Sequence, residues 1–458
     1  MTPPSVTGVR LASPPGSEVR RHGRQPMSTT AIADYALLSD RHSAALVSRA
    51  GAVDWLCFPR FDSPAVFARL LDADAGHFTV RPVGEFRAQR RYLDATMVLQ
   101  TSFRTSTGTV VLTDAMATGA ADDPHRLGAT APRLLVRAVE CTTGEVTVEV
   151  QLAPRPEYGL VAPLLTIVDG GVQVRGGADM LVLSCPVPLQ IADGVASGCV
   201  ELQAGQRMLL GVTHRSTSEA FPAPLAAAEL SAALQDTVDA WQGWSAVHQS
   251  YQGPWQELVH HSGRVLQALS YQPTGAIVAA PTTSLPEGVG GERNWDYRYT
   301  WVRDACFTLE ALWVAACPDE AHQFFDHLAV SAAGSVRGGQ ELQIMFGIGG
   351  EHDLSERELP HLRGWREFLV ACADTAAVKW READQGIWEI RGEPRHFLYS
   401  KLMCWVALDR AIALAGALRA ADRVPDWRAA AAEIRSTILE GYRKQFFVSL
   451  LIGVSVPQ

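Results

Sequence analysis

The chain is 458 residues long, 47% hydrophobic and 19% charged, which leaves room for two or three domains with sizeable cores and is too apolar for disorder to dominate. Its formal net charge of −9 provides no basic footprint for nucleic acid and disfavours adhesion to an anionic membrane. The eight cysteines, Cys57, Cys141, Cys185, Cys199, Cys306, Cys317, Cys372 and Cys404, include no Cys-x-x-Cys pair, so a zinc ribbon or thioredoxin-like motif is excluded; most are expected as buried thiols. No signal-type apolar run opens the chain and no apolar stretch is long enough for a bilayer, so the expected location is the cytoplasm.

Residues 1–26, rich in Pro, Gly, Ser and Arg, read as a disordered extension, with Met27 a candidate for the true start. From 27 to 223, short β-branched runs at 108–113, 133–140, 145–152 and 180–184 are broken by turn residues. Val146, Val148 and Val150 alternate with Thr147, Glu149 and Gln151, the period of a strand with one buried face. Many short strands with frequent turns predict an antiparallel β-sandwich. At 224–252 the pattern becomes Ala/Leu-rich, interrupted only by Gly243 between 225 and 250, and predicts a linker helix. The remainder, 253–458, predicts helices at 255–271, 304–316, 319–331, 368–381, 399–415 and 427–442. Helices in series with functional residues on their connecting loops suit an (α/α) barrel, a closed ring of helical hairpins.

The stretch from Pro281 to Asp304 crowds aromatics, guanidinium groups and carboxylates onto a Gly/Pro-rich loop that enters a helix. A glucose ring offers an apolar face to an indole or phenol and a rim of hydroxyls to Arg and Asp, so this mixture suits a sugar. Taken alone, Arg303 and Asp304 read more simply as an ion pair at a helix start, where Asp also favours the dipole. Farther on, Gly386-Ile-Trp-Glu-Ile-Arg391 flanks Glu389 with Trp388 and Ile390. Apolar neighbours raise a carboxyl pKa toward that of a general acid, although an exposed Glu in a turn has the same local sequence. Gly347-Ile-Gly-Gly-Glu-His-Asp353 permits a phosphate loop, a metal cluster or a sugar-binding loop; it lacks a Gly-Lys-[Ser/Thr] ending and a second His at ligand spacing. Arg357, Glu358 and His361 read as solvated or ion-paired residues, and His396 and Lys401 as substrate contacts or packed side chains.

Five strings follow one another along the chain: Ile32-Ala-Asp-Tyr-Ala-Leu-Leu-Ser-Asp40, Asp54-Trp-Leu-Cys-Phe-Pro-Arg-Phe-Asp-Ser-Pro64, Trp301-Val-Arg-Asp304, Gly350-Glu-His-Asp-Leu-Ser-Glu-Arg-Glu-Leu-Pro360 and Lys401-Leu-Met-Cys-Trp-Val-Ala-Leu-Asp409. Together they resemble glycoside hydrolase family 15, the glucoamylase, glucodextranase and bacterial trehalase group, over most of the chain from Met27 to about Arg443. The resemblance implies a multidomain β plus α protein: an N-terminal antiparallel β-sandwich (27–223), the linker helix (224–252) and an (α/α)6 barrel (253–458), incomplete because too few hairpins are counted. It implies Glu389 as general acid with Trp388 before it. Arg303 and Asp304 would grip the non-reducing glucose, Tyr297 and Trp301 would line its pocket, and Glu351 and His352 would lie on a substrate-contacting loop. The activity implied is hydrolysis of trehalose or of the non-reducing ends of α-glucans with inversion, with no cofactor and no metal. The partner is then an α-glucoside or oligosaccharide rather than nucleic acid or membrane; oligomeric state is not indicated.

Two departures from the family pattern stand beside these matches. After Trp365-Arg366 the family carries a further stretch about the size of a helical hairpin, whereas Glu367-Phe-Leu-Val370 follows directly here. Residues 445–458 are expected to depart from family sequence, and the family's general base is expected beyond residue 458. Neither Glu351, Asp353, Glu356, Glu358 nor Glu440 offers a replacement on sequence grounds. A chain inactive as a hydrolase is therefore expected, with a non-catalytic sugar-binding role or an inverting phosphorylase as the alternatives.

Overall fold

The computed structural model describes residues 30–283, 296–315, 318–337, 343–354, 364–384 and 394–452. The extension expected at 1–26 lies outside them. Fifteen strands between Tyr35 and Ser216 pair antiparallel throughout. The strand Leu134–Ala153 organises them. Its first half pairs with Gly108–Met116 and Arg207–Ser216, and its second half with His77–Pro82 and Val195–Gln203.

Two separate strands were expected at 133–140 and 145–152, and the structure corrects this to one strand that changes layers. Thr142 is an extra residue in the register against Thr109 and Val110, a bulge that bends the chain without turning it back. Gly144 follows at φ +67°, and a Cβ there would stand 2.0 Å from the Thr107 carbonyl oxygen. Beyond the bend Val146, Val148 and Val150 are buried, the face that alternation predicts.

The two layers enclose one core, with Phe78 and Val80 from one side packed in the same cluster as Phe103, Leu112 and Val139 from the other. A buried ion pair crosses it. Arg137 donates to Asp114 at 2.8 Å and to the carbonyls of Phe78 and Gly51 at 2.9 and 2.8 Å, so the guanidinium is met by the carboxylate and by two fixed carbonyl dipoles. The first half of the strand Leu134–Ala153 is also buried on its outer face, because helix α1 (Ala227–His248) lays Leu230 and Leu234 over Leu134, Val136 and Ala138.

Among the described residues six α-helices follow: α2 (Gln256–Ala268), α3 (Val302–Ala315), α4 (Pro318–Arg337), α5 (Gly364–Lys379), α6 (Leu398–Leu418) and α7 (Val424–Ile452). Each overlaps a helix expected from periodicity. Helices α2, α3 and α4 pack in succession, and α5, α6 and α7 pack around Leu408, Trp427 and Ile434. The Arg366/Glu367 junction falls within α5, which starts four residues earlier than expected. Helix α7 continues to Ile452, ten residues past its expected end at 442. No helix among the described residues is long and apolar enough to cross a membrane. Cys57, Cys141 and Cys185 are buried, Cys372 and Cys404 half-buried, but Cys199 and Cys306 are exposed, so the expectation of mostly buried thiols holds only in part.

Candidate active site

Two short strands, Thr300–Trp301 and Met345–Phe346, join the two loops that the sequence singles out. They pair Thr300 with Phe346 and Trp301 with Met345, and Val302 N–H extends the ladder to the Ile344 carbonyl at 3.0 Å. Because α3 begins at Val302, Arg303 and Asp304 fall in its first turn. Tyr297 stacks on Trp301 with ring centroids 5.8 Å apart and planes 28° apart. The Arg303 guanidinium lies 5.8 Å from the Trp301 ring and donates to Asp304 at 3.0 Å. The Arg303 side chain is 70% exposed and that of Asp304 37%. An ion pair this open contributes about 0–1 kcal/mol to stability, so its polar edges are free for a ligand at little structural expense.

Across the two-stranded ladder, residues 347–351 form a tight loop in which Gly347 N–H donates to the Glu351 carbonyl at 2.9 Å. The Glu351 carboxylate folds back over this loop and accepts from Gly349 N–H at 2.9 Å. A Cβ at Gly347 would lie 2.1 Å from that carboxylate and one at Gly349 2.6 Å, so side chains at either position would expel it. Its other oxygen accepts from Arg60 at 3.1 Å. Burial alone would raise the Glu351 carboxyl, but the backbone amides and Arg60 outweigh it and hold the pKa below the ordinary value. His352 meets Phe346 edge-on, with ring centroids 5.2 Å apart.

The N-terminal strands and their loops anchor the first loop, and the turn after α2 anchors the second. Arg298, 3% exposed, donates to the Tyr158 hydroxyl at 2.7 Å, the Ser63 carbonyl at 2.8 Å and Asp296 at 2.9 Å. Trp55 donates its indole N–H to the Pro281 carbonyl at 2.8 Å, and Thr274 its hydroxyl to the Ile348 carbonyl at 2.6 Å. Burial holds the Tyr158 phenol far above its ordinary pKa, so it stays neutral against Arg298.

Residues 253–378 and 371–455 match the family described as glycosyl hydrolases family 15, and residues 18–206 match a domain described as trehalase-like, N-terminal. A trehalase of Mycolicibacterium smegmatis is 34% identical over 468 residues, spanning 89% of this chain and 70% of that protein. The chain belongs to glycoside hydrolase family 15. A trehalase of Mycobacterium tuberculosis is likewise 34% identical, over 89% of this chain and 68% of its own length. One from Thermoplasma volcanium is 28% identical over 89% and 70%. The family-15 match runs to residue 455, into the stretch expected to depart from family sequence, so that expectation is corrected for most of the tail.

Of the family-15 residues expected in the site, the structure brings together Tyr297, Trp301, Arg303 and Asp304 on one side of the ladder and Glu351 and His352 on the other. Trp388 and Glu389 lie outside the described residues, as do Glu356, Arg357, Glu358 and His361. Asp384 and Arg395 exchange backbone hydrogen bonds at 2.8 Å. Lys401 donates to the Trp380 carbonyl at 3.1 Å and lies 5.1 Å from its ring, a packed position. Glu440 is exposed on α7. The glycine loop has one amide already occupied by Glu351, which counts against a phosphate cradle. Among the described residues no three His, Cys, Asp or Glu side chains are grouped to hold a metal ion. Sequence reasoning missed Arg60, Tyr158, Tyr271 and Arg298 as parts of the surroundings of the site. The available signal was the Arg60-Phe-Asp62 spacing within the second family string, where an Arg two residues from an Asp can close a fork.

Proposed function

We propose that this chain binds the non-reducing glucose of an α-glucoside, and that trehalose is its ligand. The observation that carries this reading is the exposed Arg303–Asp304 pair beside the stacked Tyr297–Trp301 rings, an aromatic platform edged by a guanidinium and a carboxylate. The relatives' names favour trehalose over maltodextrin or dextran. In this reading 253–458 belong to an (α/α)6 barrel, 27–223 to a β-sandwich domain and 224–252 to the helix between them. Glu389 protonates the glycosidic oxygen as the bond to the anomeric carbon breaks, and water attacks from the opposite ring face with inversion. Such chemistry needs a second carboxylate about 6.5–9.5 Å from the acid to take the proton from water, and needs no cofactor.

Glu351 is tied to Arg60 and Asp304 to Arg303, so neither is a ready base. Neither is therefore proposed as that second carboxylate. The experiment is calorimetric titration with trehalose and with maltose, alongside glucose release from both by the same preparation. Trehalose binding stronger than maltose binding is the expected result. Stronger binding of maltose, or glucose release from maltose alone, overturns the assignment of trehalose, and no binding of either sugar overturns the sugar reading.

A further inference from the structure

Arg60 lies in the N-terminal sandwich, 291 residues before the carboxylate that it meets at the sugar site. Its guanidinium is fixed first by Asp62, in a two-pronged contact of Nε with Oδ1 at 2.8 Å and Nη2 with Oδ2 at 2.7 Å. The Tyr271 ring lies 5.7 Å below it. The same Nη2 then reaches Glu351 Oε1 at 3.1 Å. The other Glu351 oxygen is held by the amide of Gly349, within a loop that glycines at 347 and 349 leave open for the carboxylate. Glu351 is followed directly by His352, whose ring abuts Phe346, and Phe346 is laddered to Thr300 beside Trp301.

From this chain of contacts we infer that Arg60 is a positioning residue for the sugar site: it acts through Glu351 to hold the 347–352 loop in register with the Trp301 platform. The inference rests on the sugar-binding reading above. It makes the N-terminal sandwich a working part of the site rather than a separate support. A contact with side chains 33% and 48% exposed adds little to global stability. Its effect is geometric. The loop has few backbone hydrogen bonds of its own, and displacing a binding group by about 1 Å is enough to change recognition strongly. Lysine cannot replace Arg60, because one ammonium has no planar fork to serve Asp62 and Glu351 at once.

The test uses the whole chain with Arg60→Met, Arg60→Lys, Glu351→Gln and the Arg60→Met/Glu351→Gln double variant. Trehalose affinity is measured by calorimetry, and exchange of the Gly347 and Gly349 amides by hydrogen–deuterium mass spectrometry. Each single variant is expected to weaken trehalose binding about tenfold, and the double variant no further, the mark of two groups acting as one unit. Amide exchange in the loop rises in Arg60→Met while the melting temperature stays within the scatter of the unsubstituted chain. Additive losses, or unchanged affinity in Arg60→Met, overturn the inference and leave the sugar reading intact. If the unsubstituted chain binds no trehalose, the sugar reading falls and the inference, which rests on it, falls too; the exchange data then report only whether Arg60 orders the loop.

Discussion

Replacing Arg298 by methionine should loosen the Tyr297–Trp301 platform while leaving the N-terminal strands folded. Methionine keeps much of the length of the side chain and none of its donors. The Ser63 carbonyl and the Tyr158 hydroxyl, now bonded at 2.8 and 2.7 Å, each lose a hydrogen bond with a net value of about 1 kcal/mol. Asp296, whose side chain is 24% exposed, loses its counter-charge at about 1–3 kcal/mol. The total is about 3–5 kcal/mol, the range found when a buried ion pair is broken from one side. The loss should be local, because Arg298 joins residues 296–304 to Ser63 and Tyr158 of the N-terminal part without entering its main core cluster. Native-state hydrogen exchange is the assay. The Ala280 and Val302 amides, bonded to the Tyr297 and Ile344 carbonyls, should open more easily by about that energy, with the strand Leu134–Ala153 unchanged. A change below about 1 kcal/mol at both amides would show that water satisfies Asp296 and Tyr158, and that Arg298 does not hold the platform.

Asp304→Ala should weaken binding of glucose-like inhibitors by about 1–2 kcal/mol, less than for a fully buried pair because Asp304 starts 37% exposed; calorimetry on a chain of unchanged circular dichroism checks this. In a catalytically active family-15 version of the chain, Glu389→Gln should lower turnover by about 10²- to 10⁴-fold with binding retained, and near-normal glucose release would remove Glu389 as the acid. Burial, aided by Arg69, pushes His77 down to about 4 where it bonds Gln151 at 2.8 Å. Its folded pKa lies below its unfolded value, so the unfolded chain takes up the proton first and stability falls as pH drops from about 6.5 towards about 4. His77→Gln should flatten that loss of melting temperature, and an unchanged acid profile would show that another group controls it.

Much of the architecture was legible because strand and helix periods are local. Val146, Val148 and Val150 announced a buried face, and the helices after α1 among the described residues were located within four residues at each end, except that α4 runs six residues and α7 ten residues past the expected end. The cluster of Tyr297, Trp301, Arg303 and Asp304 was legible for the same reason: one loop and one helix start carry all four. Trp388 and Glu389 remain sequence assignments. What periodicity could not express was the layer change of the strand Leu134–Ala153, which depends on one extra residue and the positive φ of Gly144 rather than on hydrophobic pattern. Nor could it express Arg298 bonded to Tyr158, or Arg60 bonded to Glu351. By itself the sequence determined which residue types each loop carries. Tertiary structure alone decided which charges meet there, because partners separated by 140 and 291 residues meet only through the stacking of the sandwich against the helices.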